Sequence, residues 1–274
     1  MKSVHTSQLS IDRSMPGTCT ITFSNPPINM INNGTISELH AMMPLIEEDE
    51  SLKVVVFESA DAEFFIAHYD TGSAAQASTN VGNTPLEQWR EFVLRLSRAP
   101  VVSIAKVRGY TRGGGNEFVL ACDLRFASRE KAVFGQPEVG VGVVPGGGAL
   151  EWLPRLVGRS RALEIVLSAD DFGADVAQMY GMINRAVDDA QLDAYVNAFA
   201  TRIASFDKQA IKAAKVLLNR SGIPDAEELA VSSRTFVEAL TWPEAQARRT
   251  RLRQLGYANR TDFERTFGSA LAGI

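Results

Sequence analysis

The sequence predicts an α/β protein with a C-terminal helical region, on the basis of two observations. In the first half of the chain, strand-like and helix-like segments alternate. KVVVFES (53–59) and VVSIAKV (101–107) have the apolar runs of buried strands, and residues 85–98 have helical spacing. From about residue 147 onward, nearly every segment carries apolar residues at helical spacing. INRAVDD (183–189) is the one strand predicted in that second part.

The other elements are predicted in chain order. Residues 7–12 and 18–23 alternate as strands do, with a turn at Pro16 and Gly17 between them. NNGTISELHAMMPLIEED is predicted to be helical, and DAEFFIAHYDTG to be a loop with an apolar centre. Residues 71–84 are rich in Ser, Gly, Asn and Ala, so we expect them to be mobile. The helices predicted after residue 147 are ALEWLPRLV, RALEIVLSA, ADVAQMYG, QLDAYVNAFATRIAS, KQAIKAAKVLLNR and EELAVSSRTFVEAL.

Composition narrows the class of protein. The chain has 274 residues, of which 45% are hydrophobic and 22% charged, as in ordinary globular proteins. A net charge of −4 gives no electrostatic reason to bind nucleic acid or an anionic membrane. No secretory signal and no run of about 18 apolar residues is apparent. Cys19 and Cys122 lie far apart, which argues against a disulfide scaffold and favours a reducing, cytoplasmic compartment.

A glycine stretch, RGYTRGGGNEFVLACDLRFAS (108–128), stands just before a predicted helix. A phosphate-binding P-loop that begins at Gly109 would need lysine where Gly115 stands. A dinucleotide-binding fingerprint that begins at Gly113 would need a third glycine where Phe118 stands. Both readings therefore fail.

Two interpretations of this stretch remain. The glycines can serve a tight strand-to-helix turn, which is the commoner use of such residues. Alternatively, the free N–H groups at the start of the helix form an oxyanion site, and Glu117 in the first turn moves a proton beside it. FGQPEVGVGVVPGGG (134–148) places a second acid, Glu138, ahead of another glycine turn. Two carboxylates in glycine-rich surroundings with few charges are candidates for an acid/base pair.

Four segments together resemble the enoyl-CoA hydratase/isomerase superfamily, the crotonases, over about residues 8–215. NPPINMI is similar to the early Asn-Pro-Pro segment of the family, and FFIAHYD to its CoA-contacting F-x-A-G-x-D. GYTRGGGNEFVLACDLRFAS resembles G-x-x-x-GGG-x-E-x-x-x-x-CD-x-x-x-A, and FGQPEVGVGVVPGGG resembles FGQPE followed by G-x-x-P-G. No single segment is specific, but the four in this order are.

The resemblance implies a fold and an assembly. The fold is the crotonase (ClpP-like) spiral of ββα units, with a core over residues 1–190 and a C-terminal helical trimerisation region over 191–274. The implied assembly is a homotrimer or a hexamer built as a dimer of trimers.

The resemblance also implies a set of site residues. Tyr69 and Gly114 stand where the family supplies its two oxyanion-hole amides, and Glu117 and Glu138 match its two carboxylates. The residues implied to contact the substrate are Ala67, at the adenine of CoA, together with His68, Asp70, Gly113 and Gly146.

The implied reaction is the addition of water across the 2,3 double bond of an enoyl-CoA thioester. The glutamate pair holds and deprotonates the water, and Glu138 gives the proton to C2. An enoyl-CoA isomerase or another acyl-CoA enzyme of this superfamily is the first alternative, and a non-catalytic homologue that binds acyl-CoA or protein is the second. No metal and no cofactor is implied apart from the coenzyme A of the substrate.

The chain departs from the family pattern at several positions. His68 stands where the family has a small glycine, and Tyr69 replaces a small oxyanion residue. A catalytic role for His68 is a minor alternative to a structural role. Arg112 replaces an apolar residue and is interpreted as a surface or interface charge, and Trp152 as a packing residue. WPEAQARRTRLRQLG lacks the EG-x-x-AF segment that helps to close the acyl pocket in the family, so the acyl group of the substrate stays open.

Overall fold

A computed structural model describes residues 3–72 and 84–274 of the chain. The prediction of a mobile stretch at 71–84 falls mainly on residues outside this range. The described strands are β1 (Ser3–His5), β2 (Leu9–Asp12), β3 (Thr18–Phe23), β4 (Val54–Ser59), β5 (Phe64–Ile66), β6 (Val102–Val107), β7 (Tyr110–Arg112), β8 (Leu124–Ser128), β9 (Val133–Gly135), β10 (Asp171–Gly173) and β11 (Arg185–Val187).

Most of the helices lie in the second half of the chain. They are α1 (Asn33–Ala41), α2 (Met43–Glu48), α3 (Pro85–Arg98), α4 (Gly114–Ala121), α5 (Ala149–Val157), α6 (Arg159–Ser168), α7 (Ala174–Tyr180), α8 (Asp189–Ala204), α9 (Lys208–Leu218), α10 (Ala226–Ala239), α11 (Pro243–Gln254), α12 (Asp262–Arg265) and α13 (Phe267–Ala270). None of these helices is both long and apolar enough to cross a membrane.

The described strands form two sheets. The larger sheet has the order β1-β2-β3-β4-β6-β8-β11, in which β1, β2 and β3 pair antiparallel and the rest pair parallel. The smaller sheet has the order β10-β9-β7-β5, in which only β10 runs antiparallel to its neighbour. The predicted α/β class is therefore confirmed.

The chain alternates between the two sheets. β4 lies in the larger sheet and β5 in the smaller one, and α3 follows; β6, β7 and α4 repeat this order, and β8 and β9 lead to α5 and α6. Each unit is thus strand, strand, helix. This repetition brings the starts of α4 and α5 close together, since the contacts between these two helices are extensive.

The interior between the sheets and helices is aromatic. The ring centroids of Phe57 and Phe23 lie 4.9 and 5.2 Å from that of Phe118, both edge to face. Phe92 of α3 stacks on Phe118 from the other side, with the centroids 6.2 Å apart. Phe118 thereby fixes α4, one residue after Glu117, against the larger sheet and α3.

Six described strands were not predicted as strands, namely β1, β5, β7, β8, β9 and β10. DAEFFIAHYDTG contains β5 and is not only a loop, and β7, β8 and β9 lie where no strand was predicted. INRAVDD does contain β11, but β10 is a second strand after residue 147. Every strand of the smaller sheet has three residues. Three residues are too few for an alternating pattern to be recognised in the sequence.

The C-terminal helices pack partly on the core of their own chain. Leu192, Val196 and Ala200 of α8 cover Val54 and Ile104 of the larger sheet. The domain boundary predicted at residue 190 falls directly after β11 and at the start of α8. Exposed apolar side chains remain on α9 and α10, namely Val216, Leu217, Leu218, Val231 and Val237.

Candidate active site

A cavity lies where α4 begins, between the smaller sheet and the C-terminal helices. It spans about 650 Å³, part of which is open to solvent. One side carries Gly113, Gly114, Glu117, Glu138, Gly146 and Gly147, here called the glycine wall. The opposite side carries Phe236, Tyr257 and Phe267, here called the C-terminal wall. Ile31, Ile36, Leu86, Trp89, Val141 and Val143 complete a mainly apolar lining.

Two backbone N–H groups of the cavity have no acceptor. Gly113 adopts φ +49° and turns the chain from β7 into α4, so that Gly114 begins the helix with its N–H outside the helical ladder. A Cβ at Gly114 would lie 3.3 Å from the nitrogen of Tyr69, which shows how closely the two amides approach. Neither N–H donates a hydrogen bond to another described residue. Such a pair can bind one negatively charged oxygen.

Glu117 is held by the second glycine turn. Its side chain is 5% exposed, and its Oε1 accepts hydrogen bonds from the N–H groups of Gly147 (2.8 Å) and Ala149 (3.2 Å). A Cβ at Gly147 would overlap Oε2 of Glu117, so a side chain there would displace this carboxylate. The indole of Trp89 donates to the carbonyl of Gly147 (2.9 Å) and fixes this turn.

Hydrogen bonds through two side-chain amides link Glu138 to α4. Asn116 Nδ2 donates to Gln136 Oε1 (2.8 Å), and Gln136 Nε2 donates to Glu138 Oε2 (3.0 Å). Oε1 of Glu138 lies 2.7 Å from where a Cβ at Gly113 would stand, so the carboxylate faces the oxyanion turn. The relay could not be predicted, because nothing in the sequence pairs Asn116 with Gln136 of the FGQPE segment, 20 positions later.

Both carboxylates have raised pKa values. Burial raises the pKa of Glu117, against the opposing hydrogen bonds from Ala149 and Gly147. Burial and the charge of Glu117 raise the pKa of Glu138, against the hydrogen bond from Gln136. Two coupled acids with raised pKa values favour one proton between them near neutral pH, which suits acid/base chemistry.

The structure brings most of the predicted site residues together. Glu117, Glu138, Tyr69, Gly114, His68, Gly113 and Gly146 all line the cavity. Ala67 and Asp70 do not: Ala67 is fully buried beside Ile28 and Phe64, and Asp70 Oδ1 accepts from the N–H of Gly72 (2.9 Å). Trp152 is buried in the main core, as the sequence predicts.

Arg112 corrects one prediction, because it is neither a surface nor an interface charge. It is fully buried and binds Asp171 of β10 through Nε (2.7 Å) and Nη2 (2.6 Å). Its Nη1 also donates to the carbonyl of Glu264 (2.8 Å), and its Nη2 to that of Arg265 (3.0 Å). Arg112 therefore fastens the C-terminal segment to β7 and β10 of the smaller sheet.

The C-terminal wall was missed by the sequence analysis. Phe236 projects from α10 against Gly146, where a Cβ would overlap it. Tyr257 follows α11, and Phe267 begins α13 with its ring centroid 5.1 Å from that of Tyr257. An aromatic residue near a helix end carries no signal for a cavity whose glycines lie about 90 positions or more away in the chain.

The described residues include no group of three or more histidine, cysteine, aspartate or glutamate side chains able to hold a metal ion. The polar groups of the cavity include two backbone amides, two acids, His68, Thr71 and the hydroxyls of Tyr69 and Tyr257. These groups can stabilise an oxyanion and move protons.

Comparisons with known proteins identify the family of this chain. The family model for enoyl-CoA hydratase/isomerase matches residues 13–252. A short-chain-enoyl-CoA hydratase of Clostridium acetobutylicum is 32% identical over 81% of this chain and 85% of its own. A crotonyl-CoA hydratase of Syntrophomonas wolfei is 33% identical over 70% of this chain and 74% of its own.

A solved structure extends the likeness to the whole fold. The crystal structure of a candidate enoyl-CoA hydratase from Streptomyces avermitilis has a TM-score of 0.92 and 39% identity, over 99% of each chain. The crotonase spiral predicted from the motifs is thereby confirmed. With the family model spanning most of the sequence, this chain belongs to the enoyl-CoA hydratase/isomerase family.

Proposed function

We propose that this protein is a lyase that adds water to a 2-enoyl-CoA thioester and forms the 3-hydroxyacyl-CoA. The observation that carries the proposal is the meeting, in one cavity, of two unpaired N–H groups and two acids with raised pKa values. The relatives from Clostridium acetobutylicum and Syntrophomonas wolfei bear the names of hydratases of such thioesters.

In the proposed reaction, the N–H groups of Tyr69 and Gly114 hold the thioester oxygen. One water molecule lies between Glu117 and Glu138. Its oxygen forms a bond to C3 while Glu117 takes a proton from it, and the electron pair of the double bond moves toward the thioester oxygen as an enolate. Glu138 then gives its proton to C2, and the enolate returns to the carbonyl form. The two amides act where the negative charge develops.

The proposed mechanism needs the two acids in different protonation states. The charge of one carboxylate disfavours ionisation of the other, and the pKa of Glu138 is raised by this effect as well as by burial. Glu117 also accepts two backbone hydrogen bonds, which stabilise its ionised form. This asymmetry supports Glu117 as the base and Glu138 as the acid.

Other aspects of the proposal concern the substrate and the assembly. Arg249 and Arg253 line a second cavity that adjoins the first at Thr71, Val141, Val143 and Tyr257. We propose that these arginines bind the phosphates of CoA, the only cofactor involved. The exposed apolar side chains of α9 and α10 support the homotrimer, and the two free, buried cysteines support a cytoplasmic compartment.

The test is hydration of crotonyl-CoA by the purified protein, followed as loss of the enoyl thioester absorbance. We expect rapid loss with the wild type and a rate lower by about 10²- to 10⁴-fold with Glu138→Gln. Equal rates for the two proteins would contradict the assignment. If a 3-enoyl-CoA is instead converted to its 2-enoyl isomer while crotonyl-CoA is untouched, the protein is an isomerase.

A further inference from the structure

Behind the oxyanion residue Tyr69, the cavity contains polar side chains for which the proposed hydration has no use. The ring of His68 stacks on that of Tyr257, with centroids 4.4 Å apart and planes 10° from parallel. The Tyr257 hydroxyl lies 3.1 Å from Nδ1 of His68. On its other side, Nε2 of His68 lies 3.2 Å from Oε1 of Glu264.

The burial of this group determines its charges. The side chain of Glu264 is 0% exposed and that of His68 is 4% exposed. Arg112 is already neutralised by the bidentate contact with Asp171. An ionised Glu264 therefore needs a second cation, because an unpaired buried charge is strongly unfavourable. The imidazole of His68, 3.2 Å away, is the adjacent group among the described residues that can supply it.

The surroundings of Glu264 act together on the ionisation of its carboxyl. Burial acts to raise the pKa of this carboxyl, but the charge and hydrogen-bonding capacity of His68, the N–H of Ala258 and the charge of Arg112 lower it overall. The N–H of Ala258 donates to Oε2 at 3.0 Å. Oε1 has no other described partner than the imidazole, and the contact is an electrostatic one without the alignment of a good hydrogen bond.

The charge of His68 decides which way Tyr257 donates. An imidazolium carries a proton on both ring nitrogens and cannot accept a hydrogen bond. Its Nδ1–H then donates to the Tyr257 oxygen or to the carbonyl of Tyr69, 3.4 Å away, and in either case the phenolic proton must find another acceptor. No other described residue accepts it. Tyr257 lines the cavity, and burial, Glu264 and Glu138 raise the pKa of its phenol, so the proton stays on the oxygen.

We propose that Tyr257 is a further catalytic residue, whose hydroxyl donates a hydrogen bond to an oxygen of the bound acyl thioester, and that His68 and Glu264 are the positioning residues that direct it. This inference rests on the proposed function for the identity of the ligand. A buried donor without an acceptor is unfavourable, and a site built around one discriminates in favour of ligands that supply the acceptor.

The acceptor oxygen has two sources, and two substrates distinguish them. Crotonyl-CoA offers only the thioester oxygen and the attacking water. A 2-enoyl-CoA with a terminal carboxylate offers an oxygen on the acyl chain as well. Tyr257→Phe keeps the ring and the stacking on His68, and Tyr180→Phe is the matched control, since its hydroxyl bonds Glu164 at the surface.

We expect Tyr257→Phe to lower kcat/KM by about 10- to 100-fold with an unchanged Tm, in line with the loss of one hydrogen bond to a charged or reacting oxygen. Equal losses on both substrates place the acceptor at the thioester or the water. A loss confined to the carboxylate substrate places it on the acyl chain. Activity within threefold of the wild type on both substrates would overturn the proposal, as would the same loss in Tyr180→Phe.

Two further measurements test the positioning residues and separate this inference from the proposed function. Glu264→Gln should reproduce the loss in Tyr257→Phe, and the double variant should lose no more than either single variant. The ¹⁵N NMR signals of His68 should show two protonated nitrogens in the wild type; an unprotonated Nδ1 would overturn the inference.

If the wild type hydrates no enoyl-CoA, the proposed function fails. Weaker binding of a saturated acyl-CoA to Tyr257→Phe, by titration calorimetry, still supports the role of Tyr257, and unchanged binding removes it.

Discussion

The two walls of the cavity are built by different physical means. The glycine wall relies on backbone geometry. It has a left-handed turn at Gly113, free amides at the start of α4, and N–H groups that donate hydrogen bonds to Glu117. The C-terminal wall relies on buried charges, because Arg112 binds Asp171 and two carbonyls of residues 264 and 265. The reacting groups of the glycine wall come from two short segments of the sequence, whereas closure of the cavity depends on contacts between distant parts of the chain.

The largest effect should come from the glycine wall. Glu117→Gln should lower kcat for crotonyl-CoA hydration by about 10²- to 10⁴-fold, because the amide cannot accept a proton. Glu151→Gln is the matched control: Glu151 is also a buried acid, on α5, and its charge adds to burial in raising the pKa of Glu117, but it does not line the cavity, so its removal should shift the pH profile without removing the base. Steady-state kinetics of both variants check this. If Glu151→Gln loses as much activity as Glu117→Gln, the effect is one of packing or general electrostatics.

The C-terminal wall should respond in stability instead. Arg112→Met leaves Asp171 and two carbonyls without their cation, so we expect the free energy of unfolding to fall by about 3 to 5 kcal/mol. Replacing both partners, as Arg112→Met with Asp171→Asn, should restore part of this loss, because no unpaired carboxylate remains. Urea denaturation measures both variants. A loss below 1 kcal/mol in the single variant would show that the buried pair does not hold this wall.

The dependence of stability on pH should reveal the contribution of Glu117, in the glycine wall. The pKa of Glu117 is raised from 4.5 to about 7 in the folded protein, mainly by burial. The stability that its neutral form contributes is complete below pH 4.5 and is lost as the pH rises through about 7, in total about 3 kcal/mol. Urea denaturation from pH 5 to 8 should therefore show a smaller decline for Glu117→Gln than for the wild type. An exposed acid, changed in Glu48→Gln, should leave the wild-type decline intact; the idea fails if Glu117→Gln declines equally.

The smallest effect should come from the exposed anchor of the C-terminal wall. Arg260 pairs with Asp61 and Glu63, but its side chain is 40% exposed, so solvent screens the pairing. Arg260→Ala should cost less than about 1 kcal/mol in the same urea experiment. A cost equal to that of Arg112→Met would mean that burial does not distinguish the two anchors.

The sequence allowed prediction of the glycine wall because its signals are local. Gly113, Gly114 and Glu117 lie within five positions, and a glycine turn before a helix has a direct meaning for the backbone. Two central strands of the larger sheet were also predictable, since Val54–Ser59 and Val102–Val107 each have six residues. Length makes the apolar pattern visible.

The remainder depended on tertiary contacts. The smaller sheet was missed because its strands have three residues each. Arg112 was misread because an arginine is buried only when a partner such as Asp171, 59 positions later, neutralises it. Tyr257 and Phe267 belong to the C-terminal segment that Arg112 fastens to the smaller sheet. Only this tertiary contact brings them to the cavity, so no pattern near them in the sequence indicates a site.

The occupied space at Gly147 has a consequence for the comparison of sequences within the family. A Cβ at this position would overlap the carboxylate of Glu117 and stand 2.9 Å from the indole nitrogen of Trp89. A side chain at position 147 and the carboxylate of Glu117 would thus occupy the same space. In a relative with this geometry, a change at one of the two positions affects the other. Alanine at the position of Gly147 would therefore displace the carboxylate of Glu117 from its present place beside the N–H groups of Gly147 and Ala149. The residue worth inspecting first, when such chains are sorted by activity, is this glycine.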